Sequence, residues 1–371
     1  MLLRSPWQEF LIGVGMLTID FLGRKLQNPL MLTEGPLSGN ERLITEAAGA
    51  GVGLIFTKGI RLKAISSPVP YMSIHRGSLM NADWSCIGIE EWAGIIGRLG
   101  DSVPLVVSIA KNYVDPGTAV DMAETLVRAG ARIISFVDYD PHQLIETVKM
   151  ARPRIKVPLM VKLPPFLPRL EENLKALTSA GIDAIAAMDS IGPGLSINTI
   201  DASPSLGSLD GSGYLSGKYI LPFTLKYIYD ISGFVDVPVV GVGGVCDTDS
   251  AIQMIMAGAT GVGMVTSPLV SGLKKYRTIS DGLTAFLKDR NFDYVDEIRG
   301  LTRKITTKRK ISEKYKALID DKTCINCGAC GKICYSRAVM AEEEYHRVDR
   351  LLCTGCGLCS GVCPENAVRY C

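Results

Sequence analysis

Nine of the eleven cysteines in this 371-residue chain lie after residue 323, and eight of the nine fall into two identical runs. Cys324, Cys327, Cys330 and Cys334 follow the spacing C-x2-C-x2-C-x3-C. Cys353, Cys356, Cys359 and Cys363 repeat it, with Pro364 next. This is the ligand spacing of two 4Fe–4S cubanes. In that pattern the first three thiolates of a run wrap one cubane and the fourth crosses to the other. Cys363 is therefore expected to join Cys324, Cys327 and Cys330, and Cys334 to join Cys353, Cys356 and Cys359. Gly328, Ala329, Gly331, Gly355 and Gly357 let backbone N–H groups approach the cluster sulfurs. Zinc sites also use CxxC pairs, but zinc ribbons separate them by a longer loop, and a repeated CxxCxxC triplet does not match. Cys371 lies outside the repeat and reads as an incidental thiol.

The rest of the chain is cysteine-poor, with only Cys86 and Cys246. A secreted disulfide scaffold would be short and cysteine-dense throughout. The apolar run at residues 10–17 falls far short of the roughly 20 residues that a bilayer needs. It also lacks the pattern of a signal peptide. No membrane span and a cytoplasmic location are expected. A net charge of +2 with 47% apolar residues points to a compact globular protein and argues against nucleic acid as the main partner.

From residue 28 to about 290, short β-branched runs alternate with segments of 3.6-residue periodicity. The expected strands are residues 29–32, 54–58, 105–109, 132–138, 159–163, 184–188, 239–242 and 262–266. Ala48-Gly49, Ala129-Gly130, Ala180-Gly181 and Ala257-Gly258 each fall at an expected helix end, where glycine caps the helix. Pro104, Pro158 and Pro238 precede strands, where a missing N–H costs little. Eight such units give an α/β chain folded as a (β/α)8 TIM barrel. A doubly wound sheet would carry a G-x-G-x-x-G turn after its first strand, and none is seen. The expected organisation is an N-terminal segment or hairpin closing the barrel (1–27), the barrel (28–290), a basic helical linker (291–320) and a small 2×(4Fe–4S) domain (321–371).

Barrel chemistry belongs at the C-terminal strand ends, where Lys58, Lys162, Asp189, Gly243 and Thr266 fall. The Gly241-Val242-Gly243-Gly244 turn and Val265-Thr266 end strands seven and eight, where bare N–H groups commonly hold a phosphate. Lys58 and Lys162 each follow apolar residues, which aims their charge into the cleft and implies an anionic or electron-rich ligand.

Met160-Val161-Lys162-Leu163-Pro164-Pro165, Ser190-Ile191-Gly192-Pro193-Gly194, residues 213–222 and residues 240–244 together resemble the dihydroorotate dehydrogenase family. With the bacterial-type ferredoxin tail, the C-terminal part of dihydropyrimidine dehydrogenase is similar as well. The resemblance spans essentially the whole chain. It implies an FMN-binding barrel. Thr33, Glu34 and Gly35 would lie along the flavin. Lys58 would sit near the flavin ring and the substrate, and Lys162 near flavin N1 and the C2 carbonyl. Asp189, Ser190, Ser216 and Gly217 would contact the cofactor, and Gly243, Gly244, Val265 and Thr266 would hold its phosphate.

The chain departs from the family where substrate is read. The family carries an N-x-S-C-P-N type sequence after strand four, whose asparagine holds the pyrimidine and whose cysteine or serine is the acid/base. Here the stretch is Ser135-Phe136-Val137-Asp138-Tyr139-Asp140-Pro141. The family asparagine before the S-I-G motif is Asp189, and Ser78-Leu79-Met80-Asn81 keeps an asparagine with a one-residue shift. Asp138, Tyr139 or Asp140 is the expected replacement acid/base, beside Lys58; the alternative for the two acids is a solvated loop. His75, His142 and His346 are scattered and read as structural or surface residues. Trp84 and Trp92 read as packing the second helix, and the basic segment 303–316 as a solvated linker.

The parts imply an FMN- and iron–sulfur-dependent oxidoreductase acting on a C–C/C=C bond of a small cyclic or conjugated substrate that is not a standard pyrimidine. The alternative is an electron-transfer subunit without substrate chemistry of its own. The expected partner is a ferredoxin or an FAD/NAD(P)H-binding subunit, in a homo- or hetero-oligomer, because no nucleotide fingerprint is seen in this chain.

Overall fold

The computed structural model describes residues 15–82, 85–307 and 315–371. Two compact units divide at Thr306 and Thr307. In the first, eight parallel strands close a barrel: β1 (Leu30–Leu32), β2 (Leu54–Phe56), β3 (Leu105–Ala110), β4 (Ile134–Val137), β5 (Leu159–Lys162), β6 (Ala184–Ala187), β7 (Val239–Val242) and β8 (Gly261–Met264). The strands pair in sequence order. The ring closes where Val262, Gly263 and Met264 pair with Leu30, Met31 and Leu32. Nearly every strand residue is fully buried, which is why these strands read as continuous apolar runs without alternation. All eight expected strands form.

Four of the described barrel helices start on side-chain caps. Asn40 accepts from Leu43 N at 3.0 Å, Asp115 from Thr118 N at 3.0 Å, and Asp247 from Ser250 N at 2.9 Å. Each satisfies an N–H that the first turn leaves open. At the other end Gly181 and Gly258 take left-handed conformations with φ of 99° and 126°, as a C-cap requires. Gly49 differs. It stays inside the helix Glu41–Gly49, and the turn passes to Gly51, with φ of 85°.

A hairpin of Ile19–Phe21 and Arg24–Leu26 precedes the barrel and contributes Ile19, Phe21 and Leu26 to its core. Residues 1–14 of the expected N-terminal segment, Trp84 and residues 308–314 of the basic linker lie outside the described residues. Trp92 is fully buried in the helix Ile89–Leu99, as packing requires. A four-stranded antiparallel sheet, ordered Ile191–Leu195, Ser212–Ser216, Ser78–Asn81 and Met72–His75, joins the loops after β2 and β6. It carries Asn81 and Ser216 to the mouth of the barrel.

The second unit pairs Ala317–Ile319 with Val368–Tyr370 and Val339–Ala341 with His346–Val348. Between the strands lie two short helices, Ala329–Ile333 and Leu358–Gly361. Its apolar core holds eight buried residues, three of them the cysteines Cys330, Cys353 and Cys359.

Candidate functional site

Two adjoining chambers open at the C-terminal ends of the barrel strands. The first, about 640 Å³, is bounded by Glu34, Gly35, Lys162, Asp189, Ser190, Ser216, Gly217, Gly243, Gly244, Val265 and Thr266. These are eleven of the residues expected at the cofactor. Thr33 lies just behind them, fully buried, with Oγ1 lacking a hydrogen-bond partner. Lys58 lines the second chamber instead.

The glycines at the chamber wall let the turn after β7 pack closely on residues 220–224. Gly244 has φ of 93°, and a Cβ there would meet Leu221 Cα at 2.4 Å. Gly243 has φ of 112°. Ser216 Oγ and Thr266 Oγ1 lie 2.8 Å apart and join the loop after β8 to the antiparallel sheet. Bare backbone, hydroxyls and an orphaned buried hydroxyl suit the phosphate and ring system of FMN.

Between the chambers sits a charged network. Lys162, the last residue of β5, is 5% exposed. Its Nζ donates to Glu34 Oε2 at 3.0 Å and lies 3.7 Å from Asp189 Oδ1. Ser108 Oγ donates to the other oxygen of Glu34 at 2.9 Å. Asp189 Oδ1 also accepts from Ser190 N at 2.8 Å, and Asp189 Oδ2 from the Tyr139 hydroxyl at 2.8 Å. Burial alone would discharge Lys162, but the Asp189 and Glu34 carboxylates outweigh it and hold the ammonium above the usual lysine range. Burial likewise opposes the Asp189 charge, yet Lys162 and the surrounding donors keep its carboxyl below the usual range. Burial, then the Asp189 carboxylate, pushes Tyr139 well above the usual phenol range.

The second chamber, about 1100 Å³, shares Asn81 with the first and adds Lys58, Arg61, Asn112, Tyr113, Val137, Tyr139 and Tyr214. The Arg61 guanidinium stacks 3.2 Å from the centre of the Tyr113 ring, a cation–π contact. Of the three acid/base candidates after β4, only Tyr139 lines this chamber. Asp138 is 6% exposed and pairs with buried Lys111 at 3.0 Å. Asp140 caps the helix Pro141–Arg154, accepting from His142 N at 2.9 Å. Both carboxylates are engaged in holding the turn. Arg61, Asn112, Tyr113, Tyr214 and Ser108 were not singled out by sequence, although Arg61 and Asn112 follow β2 and β3, where barrel chemistry gathers.

In the second unit, Cys324, Cys327, Cys330 and Cys363 line one pocket of about 330 Å³, together with His346. Three ligands of the first run and the last of the second thus converge, as a crossed pair of cubanes requires. His346 is buried, with Nδ1 unpaired. Tyr335 bonds to Thr354 at 2.8 Å and links the two runs. Among the described residues, no three His, Cys, Asp or Glu side chains gather around a single ion.

A profile of the dihydroorotate dehydrogenase family matches residues 102–287, and a 4Fe-4S dicluster domain profile matches residues 317–370. Among curated proteins, the dihydroorotate dehydrogenase B (NAD(+)) catalytic subunit of Methanothermobacter thermautotrophicus is 28% identical over 299 residues, covering 77% of this chain and 98% of the relative. The Pyrococcus abyssi protein of the same description is 26% identical, covering 78% and 100%. That of Methanosarcina mazei is 29% identical, covering 76% and 94%. The relatives are matched over almost their full length, while about a quarter of this chain has no counterpart in them. Among the described residues, no helix is long and apolar enough to cross a membrane.

Proposed function

The chain belongs to the dihydroorotate dehydrogenase family, and from that premise we propose that it oxidises or reduces a C–C/C=C bond of a small cyclic or conjugated substrate other than orotate, uracil or thymine. It is an oxidoreductase acting on CH–CH donors, built on FMN and two 4Fe–4S clusters. Bound FMN supplies hydride exchange with a substrate carbon, and the clusters carry electrons singly. FMN would occupy the first chamber, held by Gly243, Gly244, Val265 and Thr266 at its phosphate. Cys324, Cys327, Cys330 and Cys363 would hold one cluster, and Cys334, Cys353, Cys356 and Cys359 the other.

The observation that carries the substrate reading is Asp189. An asparagine both donates and accepts, whereas an ionised carboxylate only accepts. Asp189 already accepts from Tyr139 and pairs with Lys162. A pyrimidine carbonyl set against it would be left without a donor, and buried unpaired polar groups strongly penalise a ligand. Val137 adds an apolar wall in the second chamber. Tyr139 is the proton donor of this reading, with Lys58 and Arg61 on the opposing anionic or electron-rich part of the substrate.

Dithionite-reduced protein should leave orotate, uracil and thymine unchanged, while Asp189→Asn should gain affinity for them. Brisk turnover of any of the three by the wild type would overturn the reading.

The length of the turn after β4 favours a second reading. Only residues 138–140 separate β4 from its helix, with no cysteine or serine, as in an electron-transfer subunit without substrate chemistry. Substrate-dependent bleaching of the flavin separates the two. The relatives' description as a catalytic subunit, NAD(+)-linked, supports a partner that is an FAD/NAD(P)H-binding subunit; a ferredoxin is the alternative. Thiolate ligands suit a reducing, cytoplasmic compartment.

A further inference from the structure

A buried lysine beside a flavin normally favours electrons on that flavin, because its charge offsets the negative charge that reduction brings. Lys162 is not such a bare charge. It faces Glu34 at 3.0 Å and Asp189 at 3.7 Å, with Lys162 and Glu34 almost fully shielded from solvent. Ser108 pins the far oxygen of Glu34, and Ser190 N and Tyr139 pin Asp189. The three charged groups line one chamber and together carry one negative charge.

We propose that Glu34 and Asp189 cancel the Lys162 charge, so that the flavin of this chain works at a lower potential than a bare lysine would give it. The proposal rests on the FMN reading of the first chamber. It assigns the two acids a positioning and tuning role that acts through Lys162. In a site with little solvent, a unit charge a few ångströms from the ring is weakly screened. Removing one acid therefore releases the lysine's field onto the flavin and stabilises the reduced form.

The test is anaerobic spectroelectrochemical titration of the flavin in the purified holoprotein. Glu34→Gln keeps an oxygen for Ser108 and removes the charge. Asp189→Asn does the same on the other flank. Each variant should raise the flavin midpoint potential, shifting the reduced-to-oxidised ratio at a fixed potential by at least about tenfold. A merely structural role would change melting temperature and leave the potential where it was. Glu34→Gln tests the stronger pair. If it does not retain flavin, Asp189→Asn alone decides. Bound flavin with an unmoved or lowered potential overturns the inference. Wild-type protein purified without flavin overturns the FMN reading and the inference with it.

Discussion

Tyr139, the proposed proton donor, is the side chain at which the reaction's proton inventory can be read. Its hydroxyl donates to Asp189, and burial together with that carboxylate holds it protonated. In the proposed reaction a group in that state gives its proton to the carbon next to the one that receives hydride, and is a poor base in the reverse sense. Tyr139→Phe should lower kcat by about a hundredfold to ten-thousandfold, the range for general acid–base catalysis, with little change in KM. The sign of the shift fixes the pH dependence. A raised phenol loses its proton only above the ordinary value of about 10. The wild-type rate of substrate reduction should therefore stay level through neutral and mildly alkaline pH, and any alkaline limb above that value should vanish in Tyr139→Phe. A fall in rate between pH 7 and 9 would refute the assignment.

At the scale of elements, the turn after β4 shows what a sequence does and does not reveal. The barrel was legible because parallel strands buried on both faces leave unbroken apolar runs, and because capping residues and prolines mark where each helix and strand begins. The antiparallel sheet that carries Asn81 and Ser216 was not. Its strands come from two distant loops, and their side chains are mostly half-exposed. The Lys162–Glu34 pair spans 128 residues of sequence, so no local pattern announces it. The acids after β4 were misleading for a different reason. Side chains alternate along an extended strand, so Val137 and Tyr139 share a side while Asp138 and Asp140 share the other. Parity carried past the end of the strand would have singled out Tyr139. Asp138 instead ties Lys111, after β3, to the end of β4. Asp138→Ala should destabilise the barrel by about 3–5 kcal/mol by leaving a buried ammonium unpaired, measured by urea unfolding, while the folded fraction keeps its kcat. A large loss of kcat without loss of stability would return Asp138 to the chemistry.

The two units of the whole molecule hold themselves together differently. The barrel has a large continuous core. The unit from Thr307 onward has eight buried core residues, three of which are cysteines. So small an apolar core seldom suffices alone, and metal ligation then supplies folding free energy. Chelation of iron under anaerobic conditions should unfold this unit and leave the barrel folded. Limited proteolysis would then remove the tail and spare a fragment ending near residue 306, and calorimetry would lose one transition. A barrel that melts together with the tail would show that the two are not independent.

Between β4 and its helix the backbone has three residues, with one side chain bonded to a buried lysine and another capping the helix. A connection so short and so anchored has no segment to swing over a ligand, and water exclusion there depends on the ligand's own fit. Discrimination in the proposed reaction then rests on the fixed outline and the fixed polar groups of the strand ends. New substrates would then be reached through single replacements at strand ends, such as 137, 139 or 189, more readily than by reshaping a loop, which makes this mouth an open position for divergence while the cofactor chamber beside it stays as it is.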